Sequence, residues 1–198
     1  MPNPAPRRLG LLGGTFDPPH LGHRAAALAV KAQLGLDRVD LLVAHDPWQK
    51  SGNRDVTPAA LRLQMAEALV ADTPGLGVDD REIRRGGPTY TADTLEDIHH
   101  EWPDTEIFLI VGADTAGRIH SWHRPEVVRA LSTLVIVNRT STAHGTSDAD
   151  AVHVSMDPVN VSSTDIRDRV ALGESLDGFT TDAVARIIHQ HGLYGSRT

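Results

Sequence analysis

Two histidines three residues apart, His20 and His23, follow closely on a Gly13-Gly14 pair in the segment Leu9-Gly10-Leu11-Leu12-Gly13-Gly14-Thr15-Phe16-Asp17-Pro18-Pro19-His20-Leu21-Gly22-His23. These residue types at this spacing can hold a polyphosphate. Glycines lack the Cβ atoms that would keep the backbone away from an anion, and successive N–H groups in a glycine turn form an anion-binding concavity. Positions i and i+3 at a helix start share one face. Both imidazoles can therefore act on one ligand, and Gly22 leaves room between them for it.

Four other segments carry chemistry. Val161-Ser162-Ser163-Thr164-Asp165-Ile166-Arg167 reads as a helix N-terminus, whose free N–H groups bind phosphate, with the planar cation of Arg167 one turn inward. Arg85-Gly86-Gly87-Pro88-Thr89-Tyr90-Thr91-Ala92-Asp93-Thr94-Leu95 reads as a Gly-Pro loop running into a capped helix, its exposed amides able to bind a polar ring substituent. Gly112 in Val111-Gly112-Ala113-Asp114 permits close approach of a nucleoside, Asp114 can accept hydrogen bonds, and Trp122 offers a flat face for a ring. Asp46-Pro47-Trp48-Gln49-Lys50 places a cation after a strand. Taken singly, each has an ordinary structural reading as a turn, a cap or a core aromatic.

Together these segments carry a resemblance. The first resembles the signature of His-x-Gly-His nucleotidyltransferases, which share the nucleotide-binding fold of class I aminoacyl-tRNA synthetases. The Val161–Arg167 segment is similar to the second signature of their adenylyltransferase branch, usually Ile-Ser-Ser-Thr-x-Ile-Arg, with Val161 in place of the first Ile. Pantetheine-phosphate adenylyltransferases carry a similar segment. The Arg85–Leu95 segment closely resembles one in bacterial nicotinate-mononucleotide adenylyltransferases, where it borders the pyridine carboxylate pocket; family members also have a Pro-rich turn ending in lysine after the second strand, and Pro47-Trp48-Gln49-Lys50 looks like its actinobacterial version. Ala44-His45-Asp46 departs from the commoner Pro-x-Gly-x pattern.

The resemblance, from Leu9 to about Tyr194, implies adenylyl transfer from ATP to nicotinate mononucleotide, giving deamido-NAD and pyrophosphate. It implies that His20, His23, Lys50 and Arg167 are catalytic. The ATP site would comprise Gly13, Gly14, Thr15, Phe16, His20, His23, Gly112, Asp114, Ser163, Thr164 and Arg167. Lys50, Thr89, Tyr90 and Trp122 would bind the mononucleotide. Mg²⁺ would arrive with ATP, since it commonly binds substrate phosphates and keeps waters rather than filling a protein cage; no dedicated metal site is expected. The alternatives are the same chemistry on nicotinamide mononucleotide or phosphopantetheine, and a non-catalytic nucleotide sensor.

The elements that must position these residues alternate. Strands are expected at Leu9–Leu12, Val39–Ala44, Val78–Ile83, Glu106–Val111, Leu134–Val137 and Val152–Met156. Helices are expected at Arg24–Leu34, after Thr57-Pro58 as N-cap and first helical residue, at Thr91–His100, at Pro125–Ala130, and in the tail from Asp182 to a stop at Gly192. Thr140–Ala151 reads as an exposed loop. The alternation predicts an α/β, Rossmann-like, doubly wound parallel sheet with helices on both faces and a small C-terminal helical part. Ligands of such sheets bind at the carboxyl ends of the strands.

At 198 residues with 40% hydrophobic content, one domain over 1–198 is expected. The net charge of −7 argues against a nucleic-acid partner. The absence of cysteine excludes disulfides, thiolate metal sites and cysteine catalysis. No secretory signal or membrane span is read, which predicts a cytoplasmic location, and a homo-oligomer is compatible with the chain.

Overall fold

A computed structural model of the chain describes residues 5–46, 56–138 and 150–195, with the side chain of Asp114 outside that description. Lys50 and most of the Thr140–Ala151 segment also lie outside the described residues. Six strands form one parallel sheet: β1 (Arg8–Gly14), β2 (Arg38–Val43), β3 (Leu76–Asp79), β4 (Glu106–Gly112), β5 (Thr133–Asn138) and β6 (Val152–Ser155), in the order β3-β2-β1-β4-β5-β6. Their short, continuous apolar runs suit strands covered on both faces.

Alternation along each strand divides the interior in two. Leu12, Val39, Leu41, Val43, Phe108, Ile110, Val135 and Val137 pack on one face against α1 (Leu21–Leu34), α2 (Ala59–Val70), α7 (Ser163–Leu172) and α8 (Asp182–Gln190). Leu9, Leu11, Ile107, Leu109, Val111 and Ile136 pack on the other against α4 (Thr91–Glu101), α5 (Ala113–Ala116), a 3-10 turn at Ile119–Ser121 and α6 (Pro125–Leu131).

Register opens the site. β1 pairs with β2 as far as Gly14↔Val43, but its pairing with β4 ends at Leu12↔Ile110, although β4 continues to Gly112 beside β5. The two central strands therefore part at their carboxyl ends, at the point where the strand order reverses, which is where ligands enter sheets of this kind.

Three local expectations are corrected. The third strand ends at Asp79, and Arg81–Arg85 is a short helix, α3, rather than an extension to Ile83. The Asp79 carboxylate accepts from the Arg81 N–H at 2.9 Å and from Arg81 Nε at 2.7 Å, which turns the chain out of the sheet. Thr57 does not cap α2: Pro58 holds the cap position, and the Thr57 hydroxyl donates to Tyr194 Oη at 3.2 Å. Gly13 and Gly14 are the last residues of β1 rather than a turn, which follows from Thr15 onward. No helix among the described residues is long and apolar enough to cross a membrane.

Candidate active site

The backbone from Thr15 to Leu21 has little secondary structure of its own, so its polar groups must find partners elsewhere. They find them on distant side chains. The Thr15 carbonyl accepts from Arg62 Nη1 at 2.8 Å, the Asp17 carbonyl from Arg167 Nη1 at 2.8 Å, and the Pro18 carbonyl from Ser163 Oγ at 2.8 Å. The Pro19 carbonyl accepts from Thr180 Oγ1 at 3.1 Å, and the Leu21 N–H donates to the Phe179 carbonyl at 3.0 Å. The buried Asp17 carboxylate accepts from Tyr194 Oη at 2.6 Å and from the Thr57 N–H at 3.4 Å.

Two glycines let this turn close. A Cβ on Gly14 would lie 2.8 Å from the Phe16 ring, which sits over it at a left-handed φ of 53°. A Cβ on Gly22 would lie 3.0 Å from His20 Nδ1 and 3.1 Å from its Cε1. The space at Gly22 is thus filled by the His20 imidazole and not left for a ligand, a correction to the sequence expectation. Gly13, by contrast, has nothing within 4 Å of where a Cβ would stand, and so presents open backbone.

His20 caps α1 and is 4% exposed. Its ring stacks on that of His23, with centroids 3.6 Å apart and planes at 25°. The His20 N–H donates to His23 Nδ1 at 3.2 Å. A neutral His23 that accepts at Nδ1 carries its proton on Nε2, so the backbone contact selects that tautomer. The Phe16 ring packs edge-to-face with His23, with centroids 5.0 Å apart and planes at 75°.

α7 begins as expected. Ser162 Oγ accepts from the Asp165 N–H at 3.1 Å, and Asp165 Oδ2 accepts from the Ser162 N–H at 2.8 Å, a reciprocal capping box. Arg167 reaches back from one turn inside to the Asp17 carbonyl and to Thr164 Oγ1, the latter at 2.9 Å. Ser163 and Arg167 therefore brace the histidine turn.

Beside the turn lies a cleft of about 230 Å³. Gly13, Gly14 and Thr15 line one wall; Thr89, Tyr90, Trp122 and His123 line another; Leu109 and Val111 form part of its floor. The Tyr90 and His123 rings meet at 4.4 Å. Arg124 follows His123 directly and clamps this corner to α4, with Nη1 on Glu96 Oε1 at 2.8 Å and Nη2 on Asp93 Oδ1 at 2.5 Å. The β2 exit leans on the Gly86–Tyr90 loop: Asp46 bridges Pro88, and His45 Nδ1 lies 3.1 Å from the Gly87 carbonyl. Gly86 and Gly87 both take positive φ, 69° and 71°, which glycine alone adopts readily.

The expected site residues thus fall into two adjoining groups. His20, His23, Phe16, Ser163, Thr164 and Arg167 surround the turn, and Thr89, Tyr90 and Trp122 share the cleft with Gly13, Gly14 and Thr15. Gly112 ends β4, with open space where a Cβ would be. Sequence reasoning missed Asp46, Glu82 and Arg118 in the cleft lining, and it missed Arg62. Glu82 is 3% exposed, and burial pushes its carboxyl up to about 7, opposed by the hydrogen bond from Thr94 Oγ1 at 2.8 Å and by Arg85. Arg62 had a readable signal: a charged residue three and seven positions before Met65 and Leu69, on the stripe that faces the core. Among the described residues, no group of three or more His, Asp or Glu is placed to hold a metal ion.

The chain is similar to known proteins along most of its length. The cytidylyltransferase-like family model matches residues 11–169. A protein of Albidiferax ferrireducens is 39% identical over 196 residues, covering 95% of this chain and 98% of that one. One of Streptomyces coelicolor is 39% identical over 186 residues, covering 92% and 98%. Both are named "Probable nicotinate-nucleotide adenylyltransferase". Among solved structures, Plasmodium falciparum nicotinic acid mononucleotide adenylyltransferase complexed with NaAD aligns with a TM-score of 0.79 at 15% identity, over 95% of this chain and 97% of that one. Its complex with APC aligns at 0.76 and 14% identity, over the same shares. At these identities the structural likeness is one of fold.

Proposed function

Since the chain belongs to the nicotinate-nucleotide adenylyltransferases, within the cytidylyltransferase-like family, we propose that it transfers the adenylyl group of Mg²⁺-bound ATP to the 5′-phosphate of nicotinate mononucleotide. The products are deamido-NAD and pyrophosphate. A 5′-phosphate oxygen attacks the α-phosphorus in line, the bond to the bridging oxygen breaks, and pyrophosphate leaves with the electron pair. The acceptor phosphate is itself the nucleophile, so no covalent enzyme intermediate is needed.

The work of the protein is then positioning and charge stabilisation. His23, donating from Nε2, and His20 stabilise the charge that grows on the leaving pyrophosphate. The amides of Gly14, Thr15 and Phe16 hold phosphate, with Ser163, Thr164 and Arg167 on the β and γ groups, and Gly112 and Asp114 on the adenosine side. Trp122 stacks on the pyridine ring, while the loop at Thr89 and Tyr90 binds its carboxylate. Lys50 draws the two anionic substrates together. Mg²⁺ rides on the ATP phosphates and offsets their repulsion. The reaction is a cytoplasmic one between small molecules, with no nucleic acid, and a homo-oligomer is compatible with it.

One observation carries the reading: the cleft lined by Trp122, Tyr90 and Thr89 opens onto the same Gly13–Thr15 backbone that leads into the stacked histidines. A planar ring held there keeps its phosphate near the turn. The test is pyrophosphate release from Mg²⁺ and ATP with nicotinate mononucleotide, nicotinamide mononucleotide and phosphopantetheine side by side. Strong preference for the first is expected. Preference for another acceptor overturns the ring-pocket assignment, and ATP binding without release for any acceptor overturns the chemistry.

A further inference from the structure

Arg62 is 1% exposed, yet its guanidinium meets no carboxylate within salt-bridge distance among the described residues; it meets carbonyls. Nε donates to the Thr57 carbonyl at 2.8 Å, and Nη1 to those of Thr15 at 2.8 Å and Ala44 at 2.7 Å. Nη2 donates to the His45 carbonyl at 2.9 Å. Those carbonyls belong to three separate stretches of chain: the turn after β1, the exit of β2 and the start of α2. The planar fork of arginine has fixed donor directions, so one side chain sets the distances among all three.

The place of this contact in the sheet gives it a task. β1 and β2 remain paired through the Ala44 N–H, which donates to the Gly14 carbonyl at 3.1 Å. Beyond that bond the two chains diverge, one toward His20 and the other toward the Gly86–Tyr90 loop. Arg62 spans the divergence. Thr15 and Ala44, both bound to Nη1, also both line the cleft.

We infer that Arg62 is a positioning residue for adenylyl transfer, its guanidinium fixing the spacing between the phosphate-holding turn and the β2 exit that flanks the acceptor. It touches neither substrate. Each wall can still bind its own ligand when the spacing relaxes, but the attacking oxygen and the α-phosphorus then meet out of line. In-line attack is sensitive to this: a misplacement of about 1 Å costs on the order of 100-fold in rate.

The inference rests on the adenylyl-transfer reading, so wild-type pyrophosphate release is measured first, and a wild type silent with every acceptor sinks that reading instead. The test proper compares Arg62→Lys and Arg62→Ala with the wild type. Circular dichroism and thermal midpoints establish the folded range, and kcat and both KM values are taken within it. Arg62→Lys, which keeps a cation but not the fork, is expected to lose about tenfold or more in kcat with the KM for ATP within about threefold. Arg62→Ala is expected to lose about 100-fold and to recover part of its kcat with low, non-denaturing guanidinium. Wild-type kcat in folded Arg62→Lys, with only a lower thermal midpoint, overturns the inference. So does loss of fold in both variants without recovery by guanidinium, since Arg62 then serves stability alone.

Discussion

Gly22 shows how one missing carbon shapes a site. A methyl group there meets the His20 ring at 3.0–3.1 Å, closer than nearly all real Cβ contacts, while Val161 Cγ1 lies 3.5 Å away on the other side. By helix propensity alone, alanine should be worth about 0.5–1 kcal/mol of stability over glycine. Gly22→Ala is therefore expected to leave the thermal midpoint unchanged or raised, while kcat falls about tenfold or more as His20 leaves its stack on His23. Calorimetry and steady-state kinetics on one preparation check this; a stable variant with full turnover would show that the stack is not needed. The histidine pair and its glycine were legible in the sequence because their meaning is local: spacing i to i+3 and a missing side chain. What fills the space at Gly22 was not, because it depends on the rotamer by which His20 stacks on His23.

At the scale of elements, α3 and α4 are joined by a chain of polar contacts. Glu82 on α3 accepts from Thr94 on α4, and Arg85 donates to Thr94 Oγ1 at 2.9 Å and to Asp97 at 2.5 Å. Burial raises the Glu82 carboxyl from 4.5 to about 7, so its neutral form is the one the fold favours. Stability from this group is complete below about 4.5, the unfolded value, and is lost as pH rises through about 7. Asp40, raised by burial to about 6 against the pull of Arg38, acts in the same direction. Glu82→Gln keeps a neutral acceptor for Thr94 and removes one titration. Its thermal midpoint is expected to fall less between pH 5 and pH 8 than that of the wild type. Parallel curves would assign the pH dependence elsewhere.

The helix over Thr91–His100 and the strand over Glu106–Val111 were readable from periodicity, and they stand in the structure as α4 and β4 within a residue or so. α3 was not, because its start depends on the Asp79 carboxylate folding back onto Arg81. That event is invisible to a period of two or 3.6.

On the scale of the whole molecule, the order β3-β2-β1-β4-β5-β6 puts the strand that carries the turn at the centre, yet the turn is completed from the far end of the chain. Tyr194 Oη donates to the Asp17 carboxylate across 177 positions. Tyr194→Phe leaves the ring in place and removes that donor from a buried acceptor. It is expected to cost about 1–3 kcal/mol in urea unfolding and to lower kcat severalfold. Unchanged values for both would show that the other partners of Asp17 satisfy it without the tyrosine. The doubly wound order was legible because strands and helices alternate in the text of the chain. The stitching of Thr15, Asp17, Pro18 and Pro19 was not, since the acceptors are backbone carbonyls and every residue has one.

That stitching sets an order of events during synthesis. Residues 15–21 leave the ribosome well before their partners on Ser163, Arg167, Phe179, Thr180 and Tyr194 are made. At about 5–20 residues per second, Asp17 waits on the order of 10–35 s for its tyrosine. A nascent chain arrested before α7 contains β1 and β2 but lacks the side chains of Ser163, Arg167 and Tyr194 that hold the turn. The turn is therefore completed only once α7, α8 and Tyr194 have been made, and a chain cut before them would be a sheet whose turn is left unheld.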